Sequence, residues 1–469
     1  MLKKDSYDLT SGELLKNRSF HPSILREYDI RGIVGETLFE KDAYWIGRCF
    51  GHRVGENAGK SIAVCRDGRL SSPQLEDSLI QGLCDAGLTV YRLGVGPTPM
   101  LYFAEYALEV DAAIMITGSH NPPSHNGFKM SLGRKPFFSE DILAFSELVT
   151  KNLNMGQGKI QESALSSLYL ERVLHGMEFG KELTIAWDPG NGATADILKT
   201  LVQRLPGNHT LINAEIDGHF PSHPPDPSDP LNLVQLQHTV IEKKCDLGIA
   251  FDGDGDRLAA VDNRGQVLWG DQLLLLFARD LLKREPTATI IADIKTSQGF
   301  FDEITRLGGQ AIMWKTGHSH IKAKMSEVKA SLAGEVSGHF FFKENYYGFD
   351  DGIYAAIRLC LLLSHSVQSL SELYEELPQR VSTPEIRTPC NPEKKFQIPQ
   401  NIKTRLRAQG HSFIDIDGIR VPLKEGWWLL RASNTEDVLV SRCEAYTTEG
   451  LEHITQHLKS ELVQEGLDL

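Results

Sequence analysis

The chain has no Cys-x-x-Cys pair, and its seven cysteines are scattered through 469 residues. An odd count without a spacing framework argues against a disulfide scaffold or a thiolate metal site, and for reduced thiols. No run of about 18 apolar residues occurs, so no membrane-spanning helix is expected. The densest apolar stretches, Leu273 to Phe277 and Leu359 to Leu363, are short and read as buried helices. Met1 to Phe20 is polar without an apolar h-region, so no secretory signal is expected. Positive charge is also scarce: 49 Lys and Arg against 62 Asp and Glu leave a net charge of −13. That balance argues against nucleic acid or anionic membrane as the main partner. What remains is 41% apolar and 24% charged residues, the composition of an ordinary soluble, globular protein, and its reduced thiols lead us to expect it in the cytoplasm. Its length calls for several domains. The sequence leaves the oligomeric state open and leans towards a monomer.

Along the chain a weak threefold repeat appears. In the first copy, strand patterns at Ile62–Cys65, Thr89–Leu93 and Ala112–Ile116 are separated by turns and helical patterns. The second copy has Leu183–Trp187, a strand near Thr210–Ile212, and Leu247–Phe251; the third has Thr289–Asp293, Gln310–Trp314 and Ser331–Ala333. Pro73, just inside a helix start, marks one of the intervening helices. Strands alternating with helices imply α/β domains with largely parallel sheets. In each copy the third strand runs into a polar loop, where such sheets place their ligands. Three loops in one order predict three edges converging on a cleft.

Those loops carry the chemistry. The first, Thr117-Gly118-Ser119-His120-Asn121-Pro122-Pro123, presents a hydroxyl at a strand end, between a glycine and a histidine. Alone it reads as a polar turn. The second, Asp252-Gly253-Asp254-Gly255-Asp256-Arg257, sets three carboxylates at alternate positions with glycines between them. Glycine allows the carboxylates to turn onto one point, and three hard oxygen donors suit Mg²⁺. An EF-hand is excluded, because Arg257 and Asn263 stand where that loop needs Gly and Glu. The third is Gly334-Glu335-Val336-Ser337-Gly338-His339.

From about Glu376 the character changes. Pro384, Pro389, Pro392 and Pro399 suggest a linker-like crossing. Short strand patterns follow at Ser412–Ile416, Ile419–Val421, Trp427–Arg431 and Val438–Val440, with Asp417-Gly418 as a hairpin signal. A helix from about Thr448 to Glu465 closes what reads as a small α+β domain. Arg431 with Ser433, Asn434 and Thr435 offers a guanidinium and neutral donors suited to a phosphate dianion.

With Arg26-Glu27-Tyr28-Asp29-Ile30-Arg31-Gly32, Thr117 to Lys129, Asp252 to Arg257, Trp314 to Ser319, Gly334 to His339 and Arg431 to Thr435 in this order, the chain resembles the α-D-phosphohexomutases. The bacterial phosphomannomutase/phosphoglucomutase branch is the most similar. The resemblance implies three similar α/β domains with mixed, mostly parallel sheets, plus a C-terminal α+β domain, around a central cleft. Boundaries are expected at 1–163, 164–266, 267–375 and 376–469. It implies that Ser119 is a phosphoserine exchanging its phosphoryl group with hexose 1- and 6-phosphates, mannose and glucose, through a 1,6-bisphosphate. Asp252, Asp254 and Asp256 would hold Mg²⁺ together with a phosphoserine oxygen. Glu335 and Ser337 would contact sugar hydroxyls. Arg431, Ser433, Asn434 and Thr435 would clamp the phosphate that is not reacting. Arg31, His120, Lys129, Arg257, Lys295, His318 and His339 would line the reacting phosphoryl group, and Tyr28 would contact substrate. His125 and His320 read as structural.

Val336 stands where the branch usually has Met, and glucosamine mutases tend to carry Gln. Asp437 puts a carboxylate beside the phosphate clamp, where it would weaken binding. Three alternatives stay in view: a phosphoglucosamine mutase, a Mg²⁺-dependent sugar phosphatase, and a non-catalytic sugar-phosphate binder. The phosphatase would leave the serine loop unexplained, and the binder would not need serine, metal loop and clamp together.

Overall fold

The computed structural model describes residues 18–433 and 437–467. They form two compact units: residues 18–169 together with Ile216–Pro224, and Leu170–Glu215 together with the described residues from Pro225 onward.

The first unit is built on a seven-stranded sheet. Its strand order is Ile30–Ile33, His125–Leu132, Ala112–Ile116, Ser61–Arg66, Thr89–Val95 and Lys159–Glu162, with Lys135–Phe137 paired to the second of these. Ser61–Arg66 lies at the centre, parallel to both neighbours. Ile62, Ala63, Val64 and Cys65 are all fully buried, as expected of a parallel strand covered on both faces. The helices Glu40–Glu56 and Ser72–Asp85 cross at Gly47 and Gly82. A Cβ there would sit 2.3 Å from the Leu79 carbonyl or 2.1 Å from that of Tyr44, so only glycine lets the two backbones meet.

The second unit holds three sheets. One runs Val267–Leu268, Leu258–Asp262, Leu247–Phe251, Leu183–Asp188, Gly207–Leu211; the next runs Gln310–Trp314, Thr289–Asp293, Leu332–Gly334, Phe340–Phe342. Both repeat the first unit's core: a central strand flanked by two parallel strands, the later of which is hydrogen-bonded to an antiparallel neighbour. The expected parallel strands are present to within a few residues. The antiparallel partners His125–Leu132, Leu258–Asp262 and Phe340–Phe342 were not foreseen. They make each polar loop a hairpin connection, so its residues are gripped from both ends.

The last sheet is wholly antiparallel. It places Val438–Ala445 between Val381–Ser382 and Gly426–Ala432, with Ile386–Pro389 also on Val438–Ala445 and Ile419–Leu423 at the far edge. Helices Gln397–Ala408 and Thr448–Val463 cover one face through Ile402, Leu406, Trp428, Leu430, Ile454 and Leu458. The supposed linker is therefore largely structured. Pro399 lies in the first turn of Gln397–Ala408, where its missing N–H has no intrahelical acceptor to lose. Ser412–Ile416 is not a strand: only Ile414 pairs with Arg420, through two bonds of 2.8 Å. The apolar stretches Leu273–Phe277 and Leu359–Leu363 lie in the buried helices Gly270–Arg284 and Gly352–Ser364. No helix among the described residues is long and apolar enough to cross a membrane.

Candidate active site

In the first unit the serine loop connects Ala112–Ile116 to His125–Leu132. Ser119 is 1% exposed and has a φ of 50°, in the left-handed region that L-residues seldom occupy. The Thr117 hydroxyl accepts its N–H at 2.8 Å, and its own Oγ lies 3.3 Å from His120 Nδ1. Arg31 donates to Asn121 Oδ1 at 2.6 Å and to Asp29 at 2.5 Å, which ties the strand Ile30–Ile33 to the loop. Lys129 sits opposite Met115 in the antiparallel ladder and is buried. Tyr28 is half-buried ahead of the first strand. His125 contributes its carbonyl to Arg69 at 3.0 Å, and its ring meets Ser124 Oγ at 3.2 Å.

In the second unit Asp252, Asp254 and Asp256 are fully buried, and one oxygen of each lies within 4.8 Å of the others. The Arg257 N–H donates to Asp252 Oδ1 at 3.2 Å, while its guanidinium stays 3.9 Å from Asp252 Oδ2. Three buried carboxylates of one sign repel unless a cation gathers them, so this donor set fits a hard divalent ion. Asp256, His339 and Asp350 also converge, but His339 is within 3.0 Å of Glu335, and Asp350 is paired with Lys322 at 2.8 Å and His318 at 3.3 Å.

The second and third loops are joined. Arg257 and His339 form an antiparallel bridge, and Leu258 N–H donates to the Gly338 carbonyl at 3.0 Å. A Cβ on Gly338 would lie 2.5 Å from the Leu258 carbonyl, and its φ is 94°. That joint brings His339 Nε2 within 3.3 Å of Asp256 and of Arg257 Nε. Burial opposes charge on His339, but Asp256 and Glu335 outweigh it and hold the imidazole up at about 9. Burial likewise pushes Glu335 up, yet His339, the Gly317 N–H at 2.6 Å and Lys295 bring it down to about 2. Oε1 accepts from Gly317, while Oε2, 3.0 Å from His339 Nδ1, is buried without a hydrogen-bond partner among the described residues. Ser337 Oγ lies 3.4 Å from His339 Nδ1. The His318 ring stacks on that of His339 at 5.6 Å, and His320 lies half-buried on the same helix, His318–Val328.

Lys295 donates to Glu385 at 2.5 Å and lies 3.8 Å from Asp293. Burial disfavours its charge, and the two carboxylates override that, raising its pKa. Arg431 Nε donates to Asp417 Oδ2 at 2.9 Å, and the same oxygen accepts from Thr316 N–H at 3.1 Å. Ser433 is buried, with its N–H on the Val438 carbonyl at 3.0 Å. Asn434 and Thr435 lie outside the described residues. The Asp437 carboxylate accepts from Lys395 Nζ at 3.1 Å.

Several residues escaped sequence reasoning. Asp293, Asp350, Lys322 and Glu385 belong to no motif and meet the site only through tertiary contacts. Asp417 read as a turn residue, though a carboxylate 14 residues before Arg431 was a weak signal.

Four family descriptions match the chain in order. They are phosphoglucomutase/phosphomannomutase alpha/beta/alpha domains I, II and III at residues 22–150, 167–265 and 269–381, and the C-terminal domain at 385–459. A Pseudomonas aeruginosa protein named phosphomannomutase/phosphoglucomutase is 43% identical over 94% of this chain and 95% of its own length. A Neisseria gonorrhoeae phosphoglucomutase is 42% identical over 93% of this chain and 96% of its own. The crystal structure of a phosphoglucomutase/phosphomannomutase family protein from Burkholderia thailandensis superposes with a TM-score of 0.90 at 38% identity, covering 95% of this chain and 99% of that one. The chain belongs to the phosphoglucomutase/phosphomannomutase family of enzymes.

Proposed function

We propose that the protein interconverts hexose 1-phosphates and hexose 6-phosphates of mannose and glucose in the cytoplasm, through a phosphorylated Ser119 and a hexose 1,6-bisphosphate. The observation that carries this reading is the joint between the carboxylate hairpin and the Glu335–His339 hairpin. It joins three clustered, buried carboxylates to the hairpin of Glu335, Ser337 and His339, which supports a cation site next to a sugar site. The double name of the Pseudomonas relative supports dual use of the sugars.

Phosphoryl transfer spreads charge over oxygens, so catalysis rests on positioning and electrostatics. Ser119 carries the phosphoryl group, and His120, Lys129 and Arg31 surround it with donors. Lys295, Arg257, His318 and His339 supply further positive charge or N–H groups. Glu335 and Ser337 orient sugar hydroxyls, with Tyr28 as an added contact. Arg431, Ser433, Asn434 and Thr435 hold the distal phosphate. Asp252, Asp254 and Asp256 would hold Mg²⁺, which when bound neutralises charge on phosphoryl oxygens. The bisphosphate must present each of its ends to the serine in turn, so the distal clamp has to accept either phosphate. We read four domains meeting near residues 163, 266 and 375.

A coupled assay with mannose 1-phosphate, glucose 1-phosphate and glucosamine 1-phosphate tests the reading, with inorganic phosphate measured alongside. Isomerisation without phosphate release supports it. Stoichiometric phosphate release, or no turnover with Mg²⁺, rejects it.

A further inference from the structure

Arg69 is fully buried and stands in no motif of the site. A guanidinium has five N–H donors, and each of Arg69's has an acceptor. Nε donates to Asp67 Oδ2 at 3.0 Å. One terminal nitrogen donates to the carbonyls of Pro122 at 2.6 Å and His125 at 3.0 Å. The other donates to those of Ser119 at 2.7 Å and Asn121 at 2.6 Å. Four carbonyls of the serine loop therefore converge on one planar cation. Asp67, itself 1% exposed, accepts from the Gly118 N–H at 3.2 Å and the Ser72 hydroxyl at 2.6 Å. The pair grips the loop's donors and acceptors together, around a serine held at positive φ. Gly118 is part of the fit, because a Cβ there would lie 2.5 Å from Arg69 Cζ.

Arg69 is held in turn by a distant segment. Ile216–Pro224 follows the strand Gly207–Leu211 in sequence, yet it packs with the first unit. The buried Phe220 ring lies 5.0 Å from the guanidinium. Glycines allow this approach: a Cβ on Gly68 would be 2.3 Å from Ile216 Cγ2, and one on Gly218 would be 2.6 Å from Leu70 N.

We propose that Arg69 is a positioning residue for Ser119, and that the 216–224 strap, through Phe220, holds Arg69 in register. This rests on the reading of Ser119 as the phosphoryl carrier. The guanidinium sets the backbone from which Oγ projects, so its loss misplaces the reacting oxygen without touching the sugar-binding groups.

Arg69→Lys keeps the charge beside Asp67 but has three donors on one nitrogen, too few to span four carbonyls. The test measures kcat, KM and melting temperature, and the rate at which glucose 1,6-bisphosphate adds one phosphoryl mass to Ser119. A misplaced nucleophile costs about 100-fold in rate. We expect that loss in kcat and in the phosphorylation rate for Arg69→Lys, with KM within about threefold of wild type because sugar-phosphate binding is untouched. Phe220→Leu should show a smaller loss of the same pattern. A folded Arg69→Lys enzyme that phosphorylates at the wild-type rate overturns the proposal. Should Arg69→Lys not fold, Phe220→Leu decides by the same rate. Failure of both to fold assigns the pair to stability alone and also overturns it. A wild-type enzyme that never takes up phosphate on Ser119 instead overturns the reading of the serine.

Discussion

Ser119 combines burial, a positive φ and a histidine nitrogen 3.3 Å from its hydroxyl, and each of these sharpens what its removal should do. Ser119→Ala should lower mutase turnover by about 1,000-fold or more with the fold intact, since no other group replaces the phosphoryl carrier. Intact-mass analysis of the wild type should show a fraction heavier by one phosphoryl group, and full activity in the alanine variant would reject the assignment. Asp254 is tested separately through the metal. Asp254→Asn removes one of three buried charges from a set whose oxygens lie within 4.8 Å. Mg²⁺ should raise the melting temperature of the wild type and have a much smaller effect on the variant. An equal Mg²⁺ shift in both would place the ion elsewhere.

At the scale of elements, the hairpin joints decide what the loops can do. Gly338 admits the Leu258 carbonyl where a Cβ would stand at 2.5 Å. Gly338→Ala should open this joint and cost stability, by about 1–3 kcal/mol for a strained φ and a displaced backbone. Calorimetry and kcat should fall together, and an unchanged melting temperature would show that the joint yields without cost. The helices Gln298–Arg306 and Gly270–Arg284 are fastened differently. Glu303, with a side chain 6% exposed, accepts from Arg306 at 2.7 and 2.9 Å and from Arg279 at 2.6 and 3.0 Å. Hydrogen bonding from Arg306 leads, and with Arg279 it overcomes burial to hold the carboxyl at about 2. A depressed carboxyl stabilises the fold above its unfolded pKa, and that stability is lost as pH falls through the folded value. Glu303→Gln should therefore be less stable to unfolding at neutral pH, by about 1 kcal/mol after allowing for the exposed Arg306. The gap should narrow between pH 4.5, the ordinary Glu value, and about 2. A gap that persists at pH 2 would rule out the ionic contribution.

For the whole molecule the question is which sugar the enzyme serves. Mannose and glucose differ only at the 2-hydroxyl. The Val336 side chain offers no hydrogen bond to a 2-amino group. Comparable kcat/KM is expected for mannose 1-phosphate and glucose 1-phosphate, with poorer use of glucosamine 1-phosphate. An unpaired polar contact there costs about 1–3 kcal/mol, roughly ten- to a hundredfold in specificity. Glucosamine 1-phosphate as the best substrate, or failure to turn over one neutral sugar, would refute this.

Period and turn chemistry made the parallel strands, the polar loops and the closing helix legible, because each depends on residues near in sequence. The aspartate hairpin was readable for the same reason: three carboxylates between glycines leave few conformations other than a shared focus. The antiparallel partner strands were not readable. His125–Leu132 carries a lysine, an asparagine and a glycine, and its pairing is set by the strand beside it rather than by its own pattern. Pro399 misled because a proline breaks helices except in their first turn, and only the register of Gln397–Ala408 shows which applies. Asp350, Glu385 and Asp417 acquire their meaning from cations up to 90 residues away in sequence. Local dihedral preferences thus determined what each loop offers chemically. Long-range burial, which forces every buried charge to find a partner, decided which distant groups stand beside it.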